Sequence, residues 1–194
     1  MKKILLTILL IASFCVLAAG QDKQIEDIRR IYQETIRKIN DAERAFAVAK
    51  KDGGPAETNV FLLETQFNKG NTSYPAVGIF REEAKFYFTF GKGENPYPDA
   101  LLKIETYTHR SAAVEQREYY FDSGGRFIFY FEDPDAENMS KDEEMRIYFA
   151  GGKPIRILAG EDDITNVNFR RKAEVVSEIL EKQKKLVSVF KNSL

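Results

Sequence analysis

The sequence lacks almost all the side chains from which metal sites and nucleophilic active sites are built. It has one cysteine, Cys15, one histidine, His109, and no tryptophan. Tetrahedral zinc takes several cysteine or histidine ligands, so no structural zinc site is predicted. A catalytic triad would have to use His109, and no serine lies in a Gly-x-Ser-x-Gly turn. His109 is therefore interpreted as a histidine at a strand end or on the surface.

The first twenty residues have the pattern of a signal peptide. Lys2 and Lys3 precede an uncharged apolar run over residues 4–19, and small residues follow it up to Gly20. A retained membrane anchor is the alternative, but a spanning helix needs about 20 apolar residues. We expect residues 1–20 to be cleaved after Gly20, and residues 21–194 to form the mature chain.

The single cysteine adds information about the compartment. Cys15 lies inside the predicted signal peptide, and Phe14 and Ala12 depart from the pattern that precedes a lipid-modified cysteine. The mature chain then has no thiol and no disulfide. Small secreted domains of eukaryotes more often use disulfides, so we expect a bacterial protein that is periplasmic, at the cell surface or secreted.

Neither sign of charge is in large excess. The chain has 29 basic and 30 acidic residues, and the predicted leader contains two lysines and no acid, which leaves 27 against 30 and a net charge of −3. Because both signs are mixed along the sequence, no nucleic-acid-binding surface is predicted. The mature length fits a single domain.

Two segments have helical periodicity. Apolar residues recur at three- and four-residue steps over residues 22–51, and this run stops at the Asp-Gly-Gly-Pro sequence of residues 52–55. A second apolar stripe covers residues 167–191. Acidic residues 161–163 precede it, where carboxylates favour the positive end of a helix dipole.

The middle of the chain alternates between apolar and polar residues, as half-buried strands do. A tight turn is predicted at Glu82 and Glu83, and glycine-containing hairpin turns at residues 122–125 and 151–152. Residues 91–99 are predicted to be a loop. The predicted strands cover residues 59–68, 76–81, 85–90, 101–109, 114–121, 126–132, 144–150 and 154–159.

The short connections between these strands decide the topology. Parallel pairing needs crossover connections of about a dozen residues or more, so short turns predict antiparallel neighbours. The predicted fold class is α+β, with an antiparallel meander of about eight strands packed against a long N-terminal helix and a C-terminal helix. We expect both helices on one face of a curved sheet.

Two segments resemble each other. Residues 120–128 and 148–155 share two adjacent aromatic residues, a Gly-Gly pair, a basic residue and an isoleucine. The pattern resembles the repeated hairpin of exported bacterial β-meander proteins without known activity, and is loosely similar to the MORN type of repeat. The resemblance covers about a sixth of the chain and implies hairpins only, since tight hairpin turns require positive φ angles.

Carboxylates are the remaining route to an enzyme. Glu105, Glu115 and Glu118 lie on predicted strands. Two of them in a cleft, about 5–10 Å apart, would suit glycoside hydrolysis. With 30 acidic residues mixed among basic ones, a solvated and salt-paired sheet face is the favoured interpretation.

Two loops have partial ligand-binding patterns. The acidic segment over residues 133–144 spaces its first acids like a calcium loop and ends in Glu144, but has Asn138 where an EF-hand needs glycine. Gly91 and Gly93 lack the rest of any phosphate-binding fingerprint. No metal and no cofactor are predicted.

The surplus of aromatic residues gives the only predicted ligand-binding residues. Alternation places Phe86, Phe88 and Phe90 on one face and Tyr87 on the other, and it likewise places Phe127, Phe129 and Phe131 opposite Ile128 and Tyr130. One of the two faces is expected to be core. The other would expose tyrosines, which often mark interaction sites. The predicted ligand-binding residues are Tyr87, Tyr119 and Tyr130.

Three functions follow from these patterns. The first hypothesis is a non-catalytic extracytoplasmic module that binds an unknown protein or cell-envelope component through an exposed sheet face. The alternative is a carrier of a small apolar ligand, with a pocket between sheet and helices. A carboxylate-based hydrolase comes third. An apolar cavity would favour the carrier, and a flat tyrosine-rich face would favour the module.

Overall fold

A computed structural model describes residues 2–74, 78–90, 98–110, 113–136, 144–167 and 171–194. Side chains are described within residues 20–73, 80–90, 100–110, 113–136, 144–167 and 171–194. The signal-peptide side chains, most of the loop at residues 91–99 and most of the acidic segment therefore lie outside the described residues. The elements are α1 (Lys2–Asp52), β1 (Val60–Phe67), β2 (Ser73–Tyr74), β3 (Gly78–Phe90), β4 (Pro98–Arg110), β5 (Ala113–Phe121), β6 (Phe127–Asp133), β7 (Met145–Ala150), β8 (Lys153–Ala159), β9 (Asp162–Asp163) and α2 (Lys172–Asn192).

The strands form one antiparallel sheet whose order follows the chain. The sheet runs β1-β3-β4-β5-β6-β7-β8-β9, and the short β2 pairs with the beginning of β3. From β3 onward each strand thus lies beside its neighbour in sequence, as expected from the short connections, and β1 pairs with β3. The predicted α+β class and antiparallel meander are confirmed.

Helix α1 packs its apolar stripe across one face of the sheet. Ile25 and Ile28 belong to a buried cluster with Tyr120 and Phe129, and further along the helix Ile39 packs against strands β1 and β3. The helix ends as predicted at the glycine pair, where Gly53 has a φ of 72° and donates its N–H to the Ala49 carbonyl over 2.9 Å. The helix therefore spans the sheet from β8 to β1.

Helix α2 packs on the opposite face, so the prediction that both helices share one face is wrong. Ile179, Leu186 and Phe190 join the cluster that contains Phe86 and Tyr119, whereas Tyr120, the next residue of β5, packs against α1. Successive side chains of a strand point to opposite faces. The sheet is consequently the middle layer of three.

Two other local predictions are also corrected. Residues 78–90 form one continuous strand, with no turn at Glu82 and Glu83, because both glutamates find partners within the sheet layers. Glu82 accepts from Lys182 of α2 over 2.7 Å, and Glu83 lies 2.9 Å from the Arg81 guanidinium. Helix α2 begins at Lys172 rather than near residue 167, with Arg171 at its N-cap, and the acidic residues 162–163 form the short strand β9.

A β-bulge changes which aromatic residues share a face. The register between β5 and β6 shifts at Tyr120 and Phe121. Phe127 therefore packs in the α2 cluster, while Phe129 and Phe131 pack in the α1 cluster. The prediction that these three phenylalanines share one face is wrong, because the bulge moves Phe127 to the face opposite Phe129 and Phe131. In the part of the chain that the structure describes, no helix has a stretch long and apolar enough to cross a membrane.

Candidate functional site

The three tyrosines predicted to bind a ligand are buried. Tyr87, Tyr119 and Tyr130 have exposed fractions of 2%, 1% and 1%. Tyr87 lies beneath α1 and donates its hydroxyl to Glu43 over 2.7 Å, while Tyr119 and Tyr130 lie on the α2 face. Burial raises the pKa of all three phenols. The expectation of an exposed tyrosine face is wrong because a helix covers each side of the sheet.

Two of the three candidate carboxylates face each other, and they enclose a lysine. The Lys103 ammonium lies 2.7 Å from Glu118 Oε1 and 3.3 Å from Glu105 Oε1. Gln116 donates to both oxygens over 2.9 Å, and Tyr120 donates to Glu118 Oε2 over 2.6 Å. All these partners are on β4 and β5.

This lysine cluster (Lys103, Glu105, Gln116, Glu118 and Tyr120) is a satisfied buried network. Burial opposes the ionisation of Glu105, but the attraction of Lys103 and the hydrogen bond from Tyr107 together hold the pKa of Glu105 below its ordinary value. Lys103, Glu105 and Glu118 are each buried. The cluster lines neither of the two cavities described below, so its carboxylates have the geometry of structural ion pairs.

Glu115, the third candidate, lies in a separate cluster on the α2 face. It forms an ion pair with Arg117, whose guanidinium also donates to Glu132 over 3.2 Å. Burial and the nearby Glu132 carboxylate raise the pKa of Glu115. His109 lies 3.1 Å from the Arg81 guanidinium at the end of β4. Among the described side chains, no group of three histidines or carboxylates is placed to hold a metal ion.

The first cavity lies between both helices and two hairpin turns, and we call it the hairpin groove. Its volume is about 660 Å³. Its rim includes Asp122 and Arg126 beside one turn, and Gly151 and Gly152 in the other. The apolar side chains that line the hairpin groove are Ile28, Ile31, Phe127, Ile128, Phe149, Ala150 and Leu180. The two helices add the polar and charged side chains of Gln24, Asp27, Gln183 and Lys184.

The turns beside the hairpin groove are held by specific backbone geometry. Gly151 and Gly152 have φ angles of 58° and 76°, which suit a tight hairpin turn and which other residues rarely adopt. At the first turn Asp122 Oδ1 accepts the N–H groups of Gly124 and Arg126, each over 2.9 Å. The Gly-Gly pairs thus position one end of the groove.

The turn at Asp122 leads to a pH-dependent prediction. Burial opposes ionisation, but the N–H donors and the Arg126 guanidinium together lower the pKa of Asp122. A lowered pKa stabilises the fold above the ordinary carboxyl range and loses that effect as the pH falls through the native pKa. We expect Asp122→Asn to lower the free energy of unfolding at neutral pH by about 1 kcal/mol.

Urea unfolding of the Asp122→Asn variant and the parent, at neutral pH and at an acidic pH below the ordinary aspartate pKa, measures this difference. The two proteins should approach each other in stability at the lower pH, where the aspartate is losing its charge. A difference that is equally large at both pH values would contradict the role of the charge.

The second cavity lies on the α1 face, between α1 and strands β6 and β7, and we call it the arginine pocket. Its volume is about 670 Å³. Arg29 and Arg146 line it together with the glutamates Glu144 and Glu161. Its aromatic lining consists of Tyr32, Phe129, Phe131 and Tyr148.

The arginine pocket was not predicted from the sequence. Arg29 and Arg146 are far apart in the chain and meet only because α1 crosses the sheet over β6 and β7. The one local signal was the place of Tyr32 in the apolar stripe of α1, which indicates burial and nothing about charge. No family model, no curated protein and no solved structure matches this chain.

Proposed function

We propose that this protein is a non-catalytic, extracytoplasmic binding protein that carries a small apolar ligand in the hairpin groove. The observation that supports this proposal is the groove itself, which is lined by seven apolar side chains from both helices and the sheet, with polar and charged side chains beside them. Its volume of about 660 Å³ falls in the range of small-molecule sites. This is the carrier that the sequence offered as the alternative to an interaction module.

The interaction module has lost the feature on which it depended. It required tyrosines on an exposed sheet face, and the three candidates are buried under α1 and α2. The hydrolase has also lost its support, because Glu105 and Glu118 are neutralised by Lys103 within the sheet. A carrier needs neither an exposed face nor a catalytic pair.

The proposal is tested by native mass spectrometry of the protein purified from the envelope fraction of its own host. We expect added mass of roughly a few hundred daltons, lost on denaturation, as a drug-sized occupant would give. The same spectrum reports the N-terminus, which should be Gln21 if the leader is removed after Gly20. A bare protein mass would contradict the carrier and direct the search to protein or glycan partners.

A charge placed in the groove should remove the occupant. Ile31 lines the groove from α1, and Ile31→Glu would bring a carboxylate against the apolar ligand, which is costly without a partner. We expect the bound fraction to fall by about tenfold or more. The measurement is the ratio of loaded to bare protein in the same spectra.

Val48→Glu is the matched control. Val48 lies on the same helix, is 59% exposed and does not line the groove. The control should keep the occupant, and circular dichroism of both variants would show that they fold. Equal loading of the two variants would place the ligand outside the hairpin groove.

A further inference from the structure

The arginine pocket differs from the rest of the protein in how its charges are arranged. Lys103 is buried and paired with two glutamates, whereas in the arginine pocket Arg146 and Glu144 are half-buried and Arg29 and Glu161 are exposed. Arg29, Glu144, Arg146 and Glu161 all line the arginine pocket, yet none of the ion pairs among the described residues involves any of them. The pocket therefore presents two positive and two negative groups that do not neutralise each other by contact.

Hydrogen bonds hold the guanidinium groups of Arg146 and Arg29 in place but leave some of their N–H donors without an acceptor. Arg146 donates from Nη2 to the Gly160 carbonyl, while its Nε is buried without an acceptor. Arg29 donates from Nε to the Tyr148 hydroxyl over 3.5 Å, and its guanidinium lies 5.7 Å from the centre of that ring. A buried donor without an acceptor costs free energy. A carboxylate is the group that best fits a guanidinium with free donors.

The aromatic side chains that line the pocket pack against one another. Tyr32 contacts Phe129 edge-on with 5.1 Å between ring centres, and it contacts Tyr120 beneath at 4.9 Å. Phe129 lies 4.9 Å from Tyr148. Burial raises the pKa of Tyr32, and the nearby Glu118 and Tyr148 add to this rise; of the pocket's charges, Arg146 opposes it and Glu144 adds a smaller part. A flat ring in the pocket would find rings already placed to pack on it.

We propose that the arginine pocket binds a zwitterionic small molecule with an aromatic group, the chemistry of a free aromatic α-amino acid. Its carboxylate pairs with Arg146 and Arg29, its ammonium pairs with the glutamates Glu144 and Glu161, and its ring packs on the aromatic lining. A purely anionic ligand has no ammonium to pair with the two glutamates, and its negative charge would be repelled by them. A purely cationic ligand has no carboxylate to pair with the two arginines and would be repelled by those. A neutral ligand would cover the half-buried charges of Arg146 and Glu144 and pair neither of them.

This inference is independent of the carrier function, because the hairpin groove and the arginine pocket share no lining residue. The test uses L-phenylalanine as the probe and isothermal titration calorimetry as the measurement. Two matched compounds each lack one charge: 3-phenylpropionate has no ammonium, and phenethylamine has no carboxylate. We expect saturable binding of phenylalanine. Each of the other two compounds should bind at least about tenfold more weakly than phenylalanine.

Substitutions then locate the site. Arg146→Gln and Arg29→Gln should each weaken phenylalanine binding about tenfold. Arg29→Gln keeps the test decisive if Arg146→Gln fails to fold, because Arg29 has a single long hydrogen bond. Arg30→Gln is the matched control: Arg30 is the next residue of α1, is exposed, and pairs with Asp27 and Glu34 outside the pocket.

Three results would overturn the proposal. They are an absence of saturable phenylalanine binding, equal affinities for phenylalanine and its two singly charged analogues, and equal affinities of the Arg29→Gln and Arg30→Gln variants. A loss of phenylalanine affinity in Arg29→Gln, while Arg30→Gln keeps the affinity of the parent, would support the proposal.

Discussion

Replacement of Lys103 by methionine is expected to lower the free energy of unfolding by about 3–5 kcal/mol. The ammonium of Lys103 lies between Glu105 and Glu118, and all three side chains are buried beneath α1. Methionine has a similar length and removes only the charge and its hydrogen bonds. Two buried carboxylates would then face each other without a cation between them. Urea unfolding followed by circular dichroism measures the loss.

Two controls separate this effect from a loss of packing. Lys85→Met removes a half-buried lysine from the neighbouring strand on the same face. Lys85 forms no ion pair among the described residues and attracts Glu105 less than Lys103 does, so its loss should cost about 1 kcal/mol or less. The combination of Lys103→Met with Glu105→Gln and Glu118→Gln should recover much of the lost stability, because no unpaired charge remains. A cost for Lys103→Met no larger than that for Lys85→Met would contradict the role assigned to the lysine cluster.

The second large effect is expected from Phe86→Ala, which should cost about 3–5 kcal/mol. Phe86 is fully buried and stacks on Phe190 of α2 with 5.8 Å between ring centres. Removal of the ring leaves a cavity between β3 and α2, while α1 packs on the other face of the sheet. Hydrogen exchange should therefore show the amides of α2 opening more readily than those of α1.

Phe61→Ala is the matched control for this substitution. Phe61 lies on β1 on the same face as Phe86, but its side chain is 41% exposed, so truncation removes less buried surface and should cost about 1 kcal/mol. If Phe86→Ala loosened α1 as much as α2, the assignment of the helices to opposite faces would be contradicted.

The elements of this fold were predictable because their signals are local. The apolar stripe of α1, the Gly-Gly turns and the alternation in β4 to β8 each depend on residues within a few positions of one another. The turn predicted at Glu82 and Glu83 is wrong because two adjacent acids are equally compatible with a continuous strand. Their partners, Lys182 and Arg81, come from α2 and from β3 itself, and sequence spacing gave no sign of the first contact.

The candidate sites were much less predictable than the helices and strands. They depend on which face of the sheet each helix covers, and no local sequence pattern contains that information. Alternation correctly separated Phe86 from Tyr87, but it does not say which faces are covered, and one helix on each face buried both. The hairpin turns were predicted and lie beside the hairpin groove. The convergence of Arg29 with Arg146 depends on the angle at which α1 crosses the sheet, and no periodicity records that angle.

The consecutive order of the strands separates two stages in the folding of this chain. Each hairpin closes over a short segment, so the sheet can extend strand by strand in the order of synthesis. The N-terminal part of α1, in contrast, contacts β8, where Gln21 donates to the Ile155 carbonyl across 134 positions of sequence. The apolar stripe of α1 is therefore covered in two steps: the part around Ile39 can pack as soon as β1 and β3 have formed, whereas the part around Ile25 and Ile28 stays uncovered until β6 to β8 are in place.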